Sequence, residues 1–416
     1  MTETKTIDTA ALGKAVDALQ PQAVTFLAEL VKVPSDNPPG DCAAHARRAA
    51  ELLKGLGFTV EAHPVPEALV KANGMISDTN LIVRRKYGTG EPTIALNAHG
   101  DVVAPGGGWT HDPYGAAIVN GVMYGRGVAV SKSDFVTYAF ALLALEKAGV
   151  PLAGTVELHF TYDEEAGGEI GPKWILDQKL SKPDFAVSAG FSYSVVTHHN
   201  GVLHLEVTVH GKSAHAARPD TGHDALEAAA KLLAAFYAHR KTLAARKSKV
   251  TGIESPSAVV GLIEGGINTN VVPDKVSFRV DRRIIPEENP AEVEAELRAV
   301  FETAAKGLEG IRVEARRIML AVPFKPVGAA GKLAAVFQAA AEAEFGVPVL
   351  RNGVPLYTDA RHYAAAGIPT ILYGAGPRSL LEANGHRADE KLVLEDLRKA
   401  TRTVARAIAE LLAPGA

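Results

Sequence analysis

Up to about residue 200, short apolar runs that read as strands alternate with segments whose apolar residues recur three and four apart, as in helices. From about 201 this gives way to period-two alternation, and after about 320 it returns. A βαβ pattern implies a layered sheet with helices on its faces, and period two implies an antiparallel sheet with one open face. At 416 residues the chain also exceeds one ordinary core. The expected class is therefore α/β: a discontinuous layered domain, residues 1–200 and 321–416, with an α+β sandwich, 201–320, inserted in it.

The strand reading covers "TIALNAHGDVV" (93–103), "GTVELHFTYDEE" and "KPDFAVSAG" in the first part. In the insertion the order reads strand, helix (222–240), strand, strand, helix. Helices at 330–344 and 390–412 close the chain.

Composition narrows the partners. The formal net charge is −3 with both signs interspersed, so a nucleic-acid face and a polybasic membrane anchor are not expected. No apolar window reaches the ~18–20 residues of a membrane span. The first twenty residues carry early acids and no uninterrupted apolar core, so a cytoplasmic protein without a secretory signal is expected. Cys42 is the sole cysteine, which rules out a disulfide framework and a cysteine-built zinc site.

Chemistry-bearing residues gather at predicted strand ends, where α/β sheets place their sites. "NAHGDV" sets His99 and Asp101 two apart, facing one side of an extended segment. An aspartate beside a ligating histidine orients the imidazole, although a polar strand end would look the same. "TYDEEAGGEIG" brings Asp163, Glu164 and Glu165 together. Adjacent carboxylates repel unless a cation or a proton relieves them, and a metal ligand beside a general base explains the pair. Acids near a helix start are also favoured by capping and the helix dipole. His215 falls in a Gly/Ala/Pro loop and His386 in a polar one, and a lone histidine in a loop is usually only solvated. "YGRGVAVSKSDF" (124–135) lacks the spacing of a phosphate loop.

Together these motifs give the chain a resemblance to the co-catalytic zinc peptidases and deacylases: aminoacylase, acetylornithine deacetylase, succinyl-diaminopimelate desuccinylase and the glutamate carboxypeptidases. It runs nearly end to end, through "VPSDNPPGD", "NAHGDVV", "GGGWTHDPYGA", "YGRG…K", "YDEEAGG", "VHGKSAHAARPDTGHDA", "GGINTNVVPDKVSFRVDRR", "YTDARHYAAAGIPTILYGAG" and "HRADE". The resemblance implies that His99, Glu165 and His386 are metal ligands, that Asp101 orients His99, and that Glu164 is the general base. It further implies that His215 polarises the scissile carbonyl, and that Asn270, Arg283 and Arg361 contact the substrate. Residues 201–320 become a lid and dimerisation domain of a homodimer, and the substrate an N-acyl amino acid or small peptide-like carboxylate.

Two ligand positions depart from that pattern. The carboxylate that bridges two zincs falls on Val130, and a fifth ligand falls on Ala189 or Gly190. Without the bridge, two ions ~3.5–4 Å apart would repel strongly. One divalent metal per chain, zinc first, is therefore expected rather than two. His99, Glu165 and His386 form an accepted catalytic set for a single ion. Asp134 replacing the bridge is a second possibility, with N-capping its simpler role. The third is a metal-poor relative that binds a small carboxylate ligand or performs other chemistry.

Overall fold

The computed structural model describes residues 8–415. Residues 1–7, part of the stretch read above for a secretory signal, lie outside the described residues. Two compact units are formed. The larger runs to Thr197 and resumes over Pro326–Asn352 and from Thr358 onward; the smaller is His198–Lys325 with Gly353–Tyr357.

The larger unit carries helices α1 (Thr9–Val31), α2 (Ala43–Gly55), α3 (Glu67–Ala72), α4 (Lys132–Lys147) and α5 (Pro172–Asp177). Its strands in this part are β1 (Val60–Pro64), β2 (Thr79–Tyr87), β3 (Thr93–His99), β4 (Ala117–Val119), β5 (Val122–Tyr124), β6 (Gly154–Thr161), β7 (Phe185–Ser188) and β8 (Ser194–His199). The smaller unit follows with β9 (Gly201–His210), α6 (Ala225–Leu243), β10 (Ser257–Gly265), β11 (Lys275–Ile284), α7 (Pro290–Ala305) and β12 (Arg312–Ala321). The chain ends with α8 (Ala330–Phe345), β13 (Leu350–Val354), α9 (Ala360–Ala365), β14 (Thr370–Leu372), β15 (Lys391–Val393) and α10 (Leu394–Leu411).

Among the described residues, eight strands make one sheet in the order β1-β2-β6-β3-β7-β14-β8-β13. The central β6, β3, β7 and β14 are mutually parallel, so their carboxyl ends open on one edge. β3 and β6 are buried almost throughout, as strands covered on both faces must be. Alternate residues of β3 feed opposite cores. Ile94, Leu96 and Ala98 join the main core with residues of α1, α4, α8 and α10, while Ala95 packs with Tyr363 of α9 and Leu176 of α5. α4 is buried on nearly every side, consistent with its almost unbroken apolar run after Asp134.

The smaller unit is a four-stranded antiparallel sheet, β10-β11-β9-β12, under α6 and α7. Leu203, Leu205, Val207 and Val209 of β9 face Phe236, Leu297 and Phe301 on the helices. The sequence reading misses β12. Its alternation runs only from Arg312 to Arg316 before Arg317 and a bulge ahead of Met319 break it, and its charges are those an edge strand carries against unwanted pairing. The closing helix starts at Leu394 rather than 390, because Lys391–Val393 first pair with β5.

One buried polar network in the large sheet carries a pH signature. Glu157 on β6 accepts from His159 Nε2 at 2.9 Å, from Arg84 Nε at 2.8 Å and from the Ser181 hydroxyl. Burial opposes its charge, yet these donors hold its carboxyl at about 2. A depressed carboxyl stabilises the fold above its unfolded value and loses that contribution as the pH falls. Wild type should therefore lose roughly 3 kcal/mol between pH 4.5 and 2 from this group. Urea unfolding of Glu157→Gln across that range should show a correspondingly flatter pH dependence; an identical slope would exclude the network as its source.

Candidate metal centre

The site is assembled on the carboxyl edge of β3 and β6. His99 ends β3, and one hydroxyl fixes its backbone: Ser131 Oγ accepts from His99 N at 2.9 Å and donates to His99 O at 3.1 Å. The ring Nδ1 lies 3.0 Å from the Asp101 carbonyl and 3.3 Å from Asp101 Oδ1. Both partners are acceptors, so Nδ1 carries the proton and Nε2 is turned toward Glu164, 3.9 Å away.

Asp101, fully buried, is the hub. Its carboxylate accepts from Asn37 Nδ2 at 3.0 Å, Glu165 N at 3.0 Å and Glu164 N at 3.3 Å. It therefore holds both the histidine and the turn that bears the acids. That turn, Glu164–Ala166, is a single 3-10 turn closed by Gly167 at φ +116°. Asp163 faces inward, where its carboxylate accepts from Ile170 N at 2.7 Å. Gly171 is required beside it, because a Cβ there would fall 2.1 Å from Asp163 Oδ1.

His99, Glu164 and Glu165 each offer a ligand atom within 4.8 Å of the others. The electrostatics show a site short of positive charge. Burial raises the Glu164 carboxyl to about 8, with Glu165 and Asp101 adding to it and His99 and Arg361 opposing. Burial works against a charged His99, but the carboxylates of Glu164, Asp101 and Glu165 outweigh it and hold the imidazole well above its ordinary value. A directed Nε2 and two converging carboxylates fit one divalent cation. Val130 offers hydrocarbon, and Ala189 and Gly190 offer no oxygen but their backbone carbonyls.

His386 lies on an exposed loop, with Nε2 3.5 Å from Glu165 Oε1. Hydrogen bonding to Glu165 raises its imidazole above the ordinary value, against the effect of burial. It reaches the cluster through Glu165 and stands outside the 4.8 Å group. Its loop is tied down twice. Asp389 Oδ1 accepts from Thr110 N at 2.9 Å and His111 N at 3.2 Å, and Glu390 forms a buried ion pair of 2.6 Å with Arg126. The Gly-Arg-Gly turn thus anchors the loop of the last histidine.

Arg361 is buried beside the acid turn and donates to the carbonyls of Gly167 and, at 3.0 Å, Thr358. In the smaller unit, His215 and Asn270 are both exposed on paired loops joined by Ala216 N to Asn270 O at 3.0 Å. Arg283 on β11 is gripped by Asp281 through bonds of 2.9 and 3.0 Å.

Asp134 corrects the sequence reading. It makes no capping bond to α4, whose N-cap is Ser131. Its Oδ1 instead accepts from Ala375 N at 2.6 Å, far along the chain. Asn37, Ser131, Asp359 and the Arg126–Glu390 pair complete the surroundings that sequence reasoning passed over. Asn37 and Asp359 do lie within quoted motifs, "DNPPGD" and "YTDAR". Asp359 is buried, and burial together with Glu164 lifts its carboxyl to about 7.

A parallel sheet with a His–Asp pair and paired glutamates on its carboxyl edge defines the class of metal-assisted hydrolases. The model of Peptidase family M20/M25/M40 matches residues 95–410, and the chain belongs to that family. The succinyl-diaminopimelate desuccinylase of Acidiphilium cryptum is 29% identical over 364 residues, 84% of this chain and 88% of that protein. The solved aminopeptidase PepT from Bacillus cereus has 26% identity and a TM-score of 0.69, covering 94% of this chain and 98% of its own. A dinuclear metal-binding peptidase of the M20 family from Bacillus subtilis matches at 16% identity and a TM-score of 0.68, over 95% of this chain and 99% of its own. The protein is a hydrolase acting on amide bonds, in a family of metal-dependent enzymes. Among the described residues, no helix is long and apolar enough to cross a membrane.

Proposed function

We propose that the protein hydrolyses the amide bond of an N-acyl amino acid or small peptide-like carboxylate, using one divalent cation, zinc first. The observation that carries this reading is the convergence of His99, Glu164 and Glu165 within 4.8 Å over a buried Asp101. His99 and Glu165 would hold the ion with His386, whose Nε2 already stands 3.5 Å from Glu165 Oε1, as third ligand. The bound ion would supply Lewis-acid polarisation of the carbonyl and acidify water.

Glu164 takes a proton from the attacking water and delivers it to the leaving amine, general acid–base work to which a carboxyl raised by burial is suited. Asp101 keeps the His99 proton on Nδ1. From the smaller unit, His215 is assigned to stabilising the developing oxyanion, and Asn270 and Arg283 to the substrate. Arg361 supplies a fixed guanidinium for the substrate carboxylate. A lid histidine serving a second subunit's site makes the working form a homodimer through the smaller unit.

The test is metal content and hydrolysis together. Protein purified without chelators should carry about one metal per chain and cleave N-acetyl or N-succinyl amino acids. Activity should disappear on chelation and return with zinc. No metal under any loading condition would favour the metal-poor binding protein instead.

A further inference from the structure

Of the two positions on which the missing fifth ligand falls, Ala189 and Gly190, the second is physically closed. A Cβ on Gly190 would fall 2.7 Å from Tyr373 N and 2.8 Å from the Leu372 carbonyl carbon. Gly376 N donates to Gly190 O at 2.9 Å, and a Cβ on Gly376 would come within 2.3 Å of that oxygen. The segments after β7 and β14 therefore touch backbone to backbone, and no acidic side chain can enter at 190 without separating them.

Into this contact comes Asp134 from the first turn of α4, fully sheltered from solvent. Its carboxylate takes the N–H of Ala375 at 2.6 Å and the N–H of Gly190. Gly374 forms the adjoining wall, since a Cβ there would lie 2.0 Å from Asp134 Oδ1. One carboxylate on one helix thus bonds the strand end where a ligand is missing and the strand end beside it. Buried amides have few alternatives, so a carboxyl group whose oxygens are shared between them is a strong tie.

We propose that Asp134 is a positioning residue that replaces the second metal, clamping the ends of β7 and β14 with hydrogen bonds so that the centre is complete with one cation. This rests on the single-cation hydrolase reading above, but its test does not depend on turnover. Asp134 is committed to two amides, which also removes it as a substitute for the bridge lost at Val130.

Amide hydrogen exchange, resolved over 189–190 and 374–376, tests the clamp in the full-length protein. In wild type, chelation should leave protection of the Gly190 and Ala375 amides within about twofold, because no metal holds them. Asp134→Ala should speed their exchange on the order of tenfold or more, the equivalent of losing a hydrogen bond. Asp134→Asn, which keeps the shape and one acceptor oxygen, should fall between and guards against a variant that fails to fold. Elemental analysis of wild type in excess zinc should saturate at one metal per chain. Protection lost on chelation, unchanged exchange in both variants, or two tightly held metals per chain would each overturn the clamp. Two metals with intact hydrolysis would sink the clamp alone; intact protection in a protein without metal or turnover would sink the hydrolase reading alone.

Discussion

Replacing Glu164 with alanine should lower kcat about 10³-fold or more while metal content stays near the wild-type value. Loss of a positioned general base alone costs about 10²–10⁴-fold, and this glutamate is placed for that role by more than its own sequence position. Asp101 accepts from the backbone N–H of both Glu164 and Glu165, so removing the Glu164 side chain leaves the turn in place. Glu165 and His99 then retain their positions, and KM should change little. Glu165→Ala should behave differently, losing metal and activity together because it removes a ligand and the partner of His386. Steady-state kinetics on an N-acyl amino acid, paired with elemental analysis of each variant, separates the two glutamates. Full residual activity in Glu164→Ala would end the proposed mechanism, and equal metal loss in both variants would make Glu164 a ligand rather than a base.

The parts of this site that the sequence reveals are those where side-chain type alone carries the chemistry. His99, Asp101, Glu164 and Glu165 stand in short motifs at the ends of apolar runs, and a parallel sheet brings such ends to one edge. The large-sheet core was legible for the same reason: β3 is close to a continuous apolar run, and β6 sets Val156, Leu158 and Phe160 two apart on its core face. What stayed hidden depends on long-range backbone contact. Asp134 sits where a capping residue would sit, and only the fold reveals that Ala375, 241 positions away, is its partner. Ser131 holds His99 through backbone atoms, which no motif records. β12 was missed because its alternation lasts five residues before Arg317 and a bulge break it, where β9 alternates from Leu203 to His210. Gly190 reads as an absent ligand in the sequence, while in the structure it is a position where no ligand can fit.

Arg126→Met should destabilise the protein by about 3–5 kcal/mol, the usual cost of removing one partner from a buried ion pair. The pair is almost sealed, with Arg126 1 % and Glu390 3 % exposed, so the surviving carboxylate finds no water in exchange. Glu390 does further work that keeps it in place: Oε1 accepts from Ala129 N at 3.1 Å, and its carbonyl accepts from Gly125 N at 2.9 Å. A stranded Glu390 therefore cannot swing out without releasing the turn as well. Burial already raises its carboxyl above the ordinary value, and loss of Arg126 would raise it further. A carboxyl raised in the folded state takes up a proton on folding, so the deficit of Arg126→Met should narrow as pH falls from 8 toward 5. Adding Glu390→Gln, which keeps an acceptor for Ala129 N without the charge, should recover about half of the loss at pH 8. The same pair anchors the loop that carries His386 four residues earlier, so Arg126→Met should also weaken zinc binding on the order of tenfold, the scale seen when support around a ligand is removed. Denaturant unfolding at three pH values and zinc titration of the two variants would measure both effects. A single variant within about 0.5 kcal/mol of wild type, or one whose deficit grows as the pH falls, would show that the loop of His386 is held by something other than this ion pair.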